Sequence, residues 1–323
     1  MSQSKCSLDL YTKFLIANKN NYSAVEPSKV KDNYLSHDTI SKWLREKEPA
    51  VQNIWNYAKG MVQKETGYLV VDDSVLDKSF SRKNELTAYH YSGNEHALVN
   101  GIDIVNLLWT KGDECVPVDY KIYQPKKEEV FKTKNDYFKE LILRAKTLKF
   151  KPFYVLADAW YGSVENMKFL DKQNLKFIFG TKPNRLASIT KNVYVNISNL
   201  DWTKKQVQKV WLKEYGYVLV ARIVFKDESI RYVVTNDLEL TDFNTLKKHN
   251  DHRWNIETFH RGIKQTTGIE KCYSILEKSQ RSHIFACFVA FLKLEYTRLK
   301  DQITWYEQKA QLLRVGTRIA VGA

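Results

Sequence analysis

The sequence predicts an α/β protein built on a mixed sheet with crossover helices. Three observations lead there. Short apolar, β-favouring runs occur at Tyr68–Val71, Phe153–Ala157 and Phe177–Gly180. Stretches of helical periodicity separate the last two runs from each other and from the strands before them, at Asn135–Leu148 and Val164–Gln173. Strand and helix therefore alternate along one segment, the order that builds a sheet with helices packed on its faces.

The elements follow in order. Leu8, Tyr11, Phe14 and Leu15 stand at helical spacing, as do Ile40, Trp43 and Leu44. Ser36, His37 and Asp38 offer capping chemistry for the second of these helices, which carries Lys42 and Arg45. Two short helices, the second basic, fit either a DNA-binding helix-turn-helix or a hairpin packed on the main domain. From Gly67 the texture changes. The run Tyr68–Val71 stops at Asp72, Asp73 and Ser74, and Leu98–Trp109 and Val116–Tyr123 read as strands joined by a turn at Lys111, Gly112 and Asp113. Between 182 and 242 the helical pattern fades into a β-rich insertion, with strands at Val207–Trp211, Tyr217–Phe225 and Ile230–Thr235. Helix returns at Phe243 and dominates to about Lys309. The expected organisation is a helical domain at 1–62, the first part of the α/β core at 63–181, the insertion at 182–242, a helical completion of the core at 243–309 and a tail at 310–323.

Composition narrows the function. The 323 residues include 51 Lys or Arg against 37 Asp or Glu, a net charge of +14, which points to a polyanionic partner, nucleic acid before membrane. Within 247–300 eleven Lys or Arg face five Asp or Glu, so much of the excess lies in one helical region. The longest apolar stretch, Ile284–Leu292, is far short of the roughly 20 residues a membrane helix needs. The opening MSQSKCSLDL lacks the apolar core of a signal peptide, so a cytoplasmic protein is expected. Cys6, Cys115, Cys272 and Cys287 show no CxxC or CxxH spacing and offer little for a zinc site or a disulfide framework.

Chemistry concentrates in two places. Asp72 and Asp73 close one predicted strand and Asp158 closes another. Carboxylates at the ends of buried strands are costly unless they bind something, and adjacent ones repel unless a cation intervenes. On the helix beginning near Arg253, the residues Arg253, Glu257, Arg261 and Lys264 recur at steps of four, four and three and share a face, while Ile256, Phe259 and Ile263 make the opposite, apolar one. That polar face reads either as a solvated ion-pair ladder or as a metal-binding Glu among phosphate-holding cations.

These residues carry a resemblance. The chain resembles the DDE transposases of bacterial insertion sequences, in the branch marked by a Tyr-x2-Arg-x3-Glu-x6-Lys signature. Arg253, Glu257 and Lys264 match its last three positions at the required spacing, and Asn250 stands where the Tyr belongs. Val-Val-Asp-Asp-Ser at 70–74 and Leu-Ala-Asp-Ala-Trp-Tyr-Gly at 156–162 also look like the family, and the three blocks come in its order across roughly 65–300. The resemblance implies a ribonuclease H-like core with its β-rich insertion between the second Asp and the Glu. It implies two Mg2+ ions, with Mn2+ as a substitute, held by Asp72, Asp158 and Glu257 for two-metal phosphoryl transfer. The family's Asp-x-Ser/Thr form favours Asp72 as the first acid, and Asp directly before Ser or Thr favours Asp73.

Also implied are cleavage of double-stranded DNA at element ends and joining to target DNA. Arg253 and Lys264 would hold phosphates, Arg261 more weakly, and the protein would act as a dimer at the bacterial nucleoid. Trp160, Trp202 and Trp211 are candidates for stacking on a base, with core packing the commoner role. Two rivals share these residues: a Mg2+-dependent endonuclease of the same fold that does not join, and an inactive DNA-binding protein derived from a transposase.

Overall fold

The structure is a computed structural model, and it describes residues 6–19, 22–26, 36–46, 53–81, 84–92, 97–124, 132–190 and 193–321. The segment between the two N-terminal helices, where the turn of a helix-turn-helix would fall, lies largely outside these residues. The strands are β1 (Tyr68–Asp77), β2 (Ala88–Ser92), β3 (Ala97–Thr110), β4 (Val116–Tyr123), β5 (Val155–Ala157), β6 (Phe177–Thr181), β7 (Leu186–Ser188), β8 (Val195–Asn196), β9 (Val207–Leu212), β10 (Gly216–Val224) and β11 (Ile230–Thr235). The helices are α1 (Leu8–Ala17), α2 (His37–Glu46), α3 (Trp55–Ala58), α4 (Lys134–Thr147), α5 (Val164–Lys172), α6 (Phe243–Asp251), α7 (Trp254–Thr267), α8 (Glu277–Asp301) and α9 (Trp305–Val321). The last helix continues past Lys309, where the sequence pattern weakens.

One mixed α/β sheet joins all the strands in the order β2-β3-β1-β5-β6-β11-β10-β9-β7-β8, and β4 also pairs with β3. Strand β3 pairs antiparallel with β1, and its other edge takes β2 along 97–101 and β4 along 103–109. Strands β1, β5 and β6 run parallel through the crossovers α4 and α5. The strands of 207–235 continue the same sheet, because β11 pairs antiparallel with β6.

Strand β1 departs from the sequence reading. It does not end at Asp72 but runs to Asp77, paired with β3 throughout. What ends at Val71 is its parallel pairing with β5, whose last paired residue is Ala157. Asp72 and Asp158 are therefore the first residues beyond the paired stretch on two neighbouring strands.

Helix α8 is the spine of the helical side. Buried residues lie on every side of it, among them His283, Ile284, Cys287, Phe288, Phe291 and Leu292. Helices α1 and α2 pack there through Tyr11, Leu15, Ile40, Trp43 and Leu44, with the Tyr11 and Trp43 rings 5.1 Å apart. Ser36 Oγ accepts the Thr39 N–H at 3.2 Å and caps α2 as its sequence suggests. Helix α7 packs Ile256, Phe259 and Ile263 inward and ends at Gly268, whose φ of +66° is the left-handed cap conformation.

His283 ties these helices together in the core. Its Nδ1 lies 2.9 Å from the Tyr11 hydroxyl and its Nε2 3.0 Å from the Gly268 carbonyl. Burial lowers its pKa to about 3, with Lys78 acting in the same direction. The unfolded chain takes up a proton near the ordinary value of 6.5 that the folded one refuses, so stability falls as pH drops from about 6.5 toward 3. Urea unfolding across that range is expected to show this loss, and His283→Gln is expected to shrink it. An unchanged slope would assign the acid sensitivity to other groups.

Candidate active site

The site forms where pairing between β1 and β5 stops. A cavity of about 400 Å³ opens there, lined by Asp72, Asp158 and Glu257 together with Asn250, Arg253, Gly180 and Thr181. The hairpin of β10 and β11 supplies another wall with Ile223, Phe225, Ile230, Arg231 and Tyr232. Three carboxylates separated widely in sequence thus face one space.

Alternation along β1 separates the two adjacent aspartates. Asp72 faces the cavity, and its Oδ1 accepts the Asp73 backbone N–H at 2.9 Å. Asp73 points to the other face of the sheet, where it accepts from Lys134 Nζ at 2.6 Å and from the Tyr161 hydroxyl at 2.8 Å. Successive side chains in a strand point to opposite faces, so only one of the pair can join Asp158. Asp158 Oδ1 accepts from the backbone N–H groups of Trp160 at 2.9 Å and Tyr161 at 3.3 Å, which fixes the carboxylate at the start of the following loop.

Crowding of charge shows in the acid strengths. Desolvation raises Asp72 well above the usual carboxylate range, and the neighbouring Asp158 and Asp73 push it further. Asp158 is also raised, first by desolvation. Glu257 Oε1 accepts from Arg253 Nη2 at 2.9 Å, one turn earlier on the same helix face. Among the described residues no three acid, His or Cys side chains close into a ready metal shell. The donor set nevertheless suits a hard divalent cation: carboxylate oxygens on an open cavity, with the anionic forms of Asp72 and Asp158 both disfavoured first by burial.

The other predicted residues take varied positions. Lys264 Nζ donates to the Val75 carbonyl at 2.7 Å and pairs with Glu270 at 3.1 Å, so it braces β1 against α7. Arg261 is exposed on α7. Lys42 pairs with Glu46 at 3.6 Å, and Arg45 Nε reaches the Ser41 carbonyl at 3.3 Å, both on the exposed face of α2. Trp160 is half exposed next to Asp158, Trp211 is exposed, and Trp202 is anchored through Nε1 to the Ile197 carbonyl at 2.9 Å.

Lys134, Tyr161, Gly180 and Arg231 were not singled out by sequence. Their roles arise from contacts between elements; the local traces are the place of Tyr161 in the motif at 156–162 and, at Lys134, a cation in the first turn of a helix, against the helix dipole. Gly180 is close packed for a visible reason. A Cβ there would lie 2.7 Å from the Ala159 nitrogen and 3.1 Å from the Asp158 carbonyl carbon. Gly180→Ala is expected to push the 158–159 backbone away from β6, costing about 1–3 kcal/mol, and to lower any activity that depends on Asp158. A variant with normal stability and activity would show that this backbone yields freely.

The chain matches the transposase DDE domain family over residues 77–292, about two thirds of its length. It belongs to that family. The matched region includes Asp158 and Glu257 and begins just after Asp72. Among solved structures, the fold is similar to piggyBac transposase in a synaptic complex with hairpin DNA, with a TM-score of 0.55 at 10% identity, covering 97% of this chain and 70% of that one. A Ciona intestinalis endonuclease V bound to a 23-mer DNA also matches, at a TM-score of 0.30 and 13% identity, covering 66% of this chain and 88% of that one; a likeness so low carries no argument. No curated protein matches the chain. Among the described residues no helix is long and apolar enough to cross a membrane.

Proposed function

We propose that this DDE-family chain is a transposase that cleaves double-stranded DNA at the ends of a bacterial insertion sequence and joins them to target DNA. The observation that carries the reading is the convergence of Asp72, Asp158 and Glu257 on one cavity. The sheet supports a ribonuclease H-like core. Reading across from β4 through β3 and β1 to β5 and β6, an antiparallel set of three is followed by parallel strands, with the acids at the β1–β5 boundary.

In this reading Asp72, Asp158 and Glu257 hold Mg2+ or Mn2+. When bound, such ions activate water or a 3′-hydroxyl and stabilise the leaving oxygen in phosphoryl transfer. The remaining work falls to the chain itself. Arg253 shares the cavity with the acids and holds a DNA phosphate there; its bond to Glu257 keeps that carboxylate aimed inward. Lys264 secures the β1–α7 junction and reaches DNA only by exchanging its present partners. Arg261, Lys42 and Arg45 are exposed cations suited to phosphates farther along the duplex. Two ends must be brought together for joining, so the working unit is a dimer on DNA, acting in the bacterial cytoplasm.

The test uses the DNA flanking the gene as substrate, with Mg2+, and compares wild type with Asp158→Ala. Metal-dependent nicking followed by joining, lost in the variant, would support the reading. Nicking without joining would make the protein an endonuclease. Tight end binding with no reaction would make it an inactive DNA-binding descendant.

A further inference from the structure

Beneath the cavity, on the opposite face of the sheet, lies a buried polar cluster. Asp73 on β1 and Asp103 on β3 belong to register pairs two residues apart, Asp73 opposite Val105 and Val75 opposite Asp103, so they share that face. Lys134 Nζ bridges them, 2.6 Å from Asp73 Oδ2 and 2.5 Å from Asp103 Oδ2. Asp103 is fully buried, and His90 Nδ1 lies 3.5 Å from its Oδ2. Lys134 also sits under the rings of Trp160, at 5.6 Å, and Tyr123, at 5.7 Å.

Tyr161 links this cluster to both Asp158 and, through Asp73, Asp72. Its hydroxyl donates to Asp73 Oδ1 at 2.8 Å and its backbone N–H to Asp158 Oδ1 at 3.3 Å. The backbone N–H of Asp73 in turn holds Asp72 Oδ1. The ring is fully buried and stacks on Phe138 at 5.6 Å, so the hydroxyl has little freedom.

Lys134 occupies the first position of α4, behind a Thr133–Asp136 capping box. A cation is unfavourable at that end of a helix, where the dipole is positive. The two acids outweigh that cost, so the helix start is fixed to β1 and β3 rather than merely resting on them.

We propose that Tyr161 and Lys134 are positioning residues, a brace through Asp73 that holds the Asp72 and Asp158 carboxylates in the arrangement that receives the cation and the scissile phosphate. The inference rests on the transposase reading. Outer partners of this kind typically matter by about 10–100-fold in metal affinity or activity.

The experiment compares wild type, Tyr161→Phe, Lys134→Met and Lys134→Arg. It measures DNA affinity, turnover at saturating DNA, and the rise in Tm on adding Mg2+. Tyr161→Phe retains the ring and removes one hydroxyl. It is expected to lower turnover by about tenfold or more, leave DNA affinity unchanged and shrink the Mg2+-dependent rise in Tm. Lys134→Arg is expected to retain more turnover than Lys134→Met. Tyr161→Phe with wild-type turnover and a wild-type Mg2+ response would overturn the brace, and it decides alone if Lys134→Met does not fold. A wild type that neither cleaves nor responds to Mg2+ would instead overturn the transposase reading on which the brace depends.

Discussion

Asp72→Asn is expected to lower DNA cleavage by about a thousandfold while leaving DNA affinity nearly unchanged. The carboxylate faces the cavity that Asp158 and Glu257 share, and an amide of the same shape supplies neither its charge nor its metal affinity. The same substitution is expected to raise Tm in the absence of divalent metal. Desolvation and two neighbouring acids hold the Asp72 carboxyl well above the usual carboxylate range, so removing the charge relieves repulsion. A relief of about 1 kcal/mol corresponds to roughly 1–2 °C for a chain of this size. Millimolar Mg2+ is expected to raise the Tm of wild type through binding to the folded state, and to raise that of the variant much less.

Asp73→Asn should behave differently. It weakens the contacts to Lys134 and Tyr161 and lowers Tm, and its effect on cleavage is the smaller one. Cleavage by Asp72→Asn at the wild-type rate would remove Asp72 from the site. Loss confined to Asp73→Asn would move the first acid to the other face of the sheet.

The second large effect is on stability. Glu295 is fully buried on α8. Its Oε1 accepts from the Cys115 N–H at 2.7 Å and from Arg298 Nη2 at 2.8 Å; its Oε2 accepts from Arg298 Nε at 2.7 Å and Trp305 Nε1 at 2.7 Å. One carboxylate thus joins the start of β4, helix α8 and helix α9. Glu295→Ala leaves a mostly buried guanidinium, an indole N–H and a backbone N–H without their acceptor. The expected cost is about 3–5 kcal/mol, a large share of the 5–15 kcal/mol typical of a domain. Arg298 keeps its bond to Asp113 Oδ2 at 2.7 Å, which sets the lower end of that range. Urea unfolding measures it, and a loss below about 1 kcal/mol would mean that the freed groups find water easily.

Much of the site was legible in local pattern, for physical reasons that can be named. Asp158 sits after a three-residue buried strand, and Arg253, Glu257, Arg261 and Lys264 stand at helical spacing opposite Ile256, Phe259 and Ile263. Strand and helix periodicities are properties of short segments, so burial of one face follows from the order of residues alone. The strands β2, β7 and β8 escaped that reading, because AYHYS, LAS and VN mix polar with apolar residues, whereas the equally short β5 and β6 lie in continuous apolar runs.

What the sequence by itself determined was the alternation of strands and helices, the apolar face of α7, and three blocks of acids and cations in a recognisable order. Only the tertiary structure sets Asp72 and Asp73 apart. They are adjacent on one strand, and what separates them is which face meets Asp158 and which meets Lys134 and Tyr161. The sheet register makes that separation, and register is set by pairing between segments that are far apart in the chain.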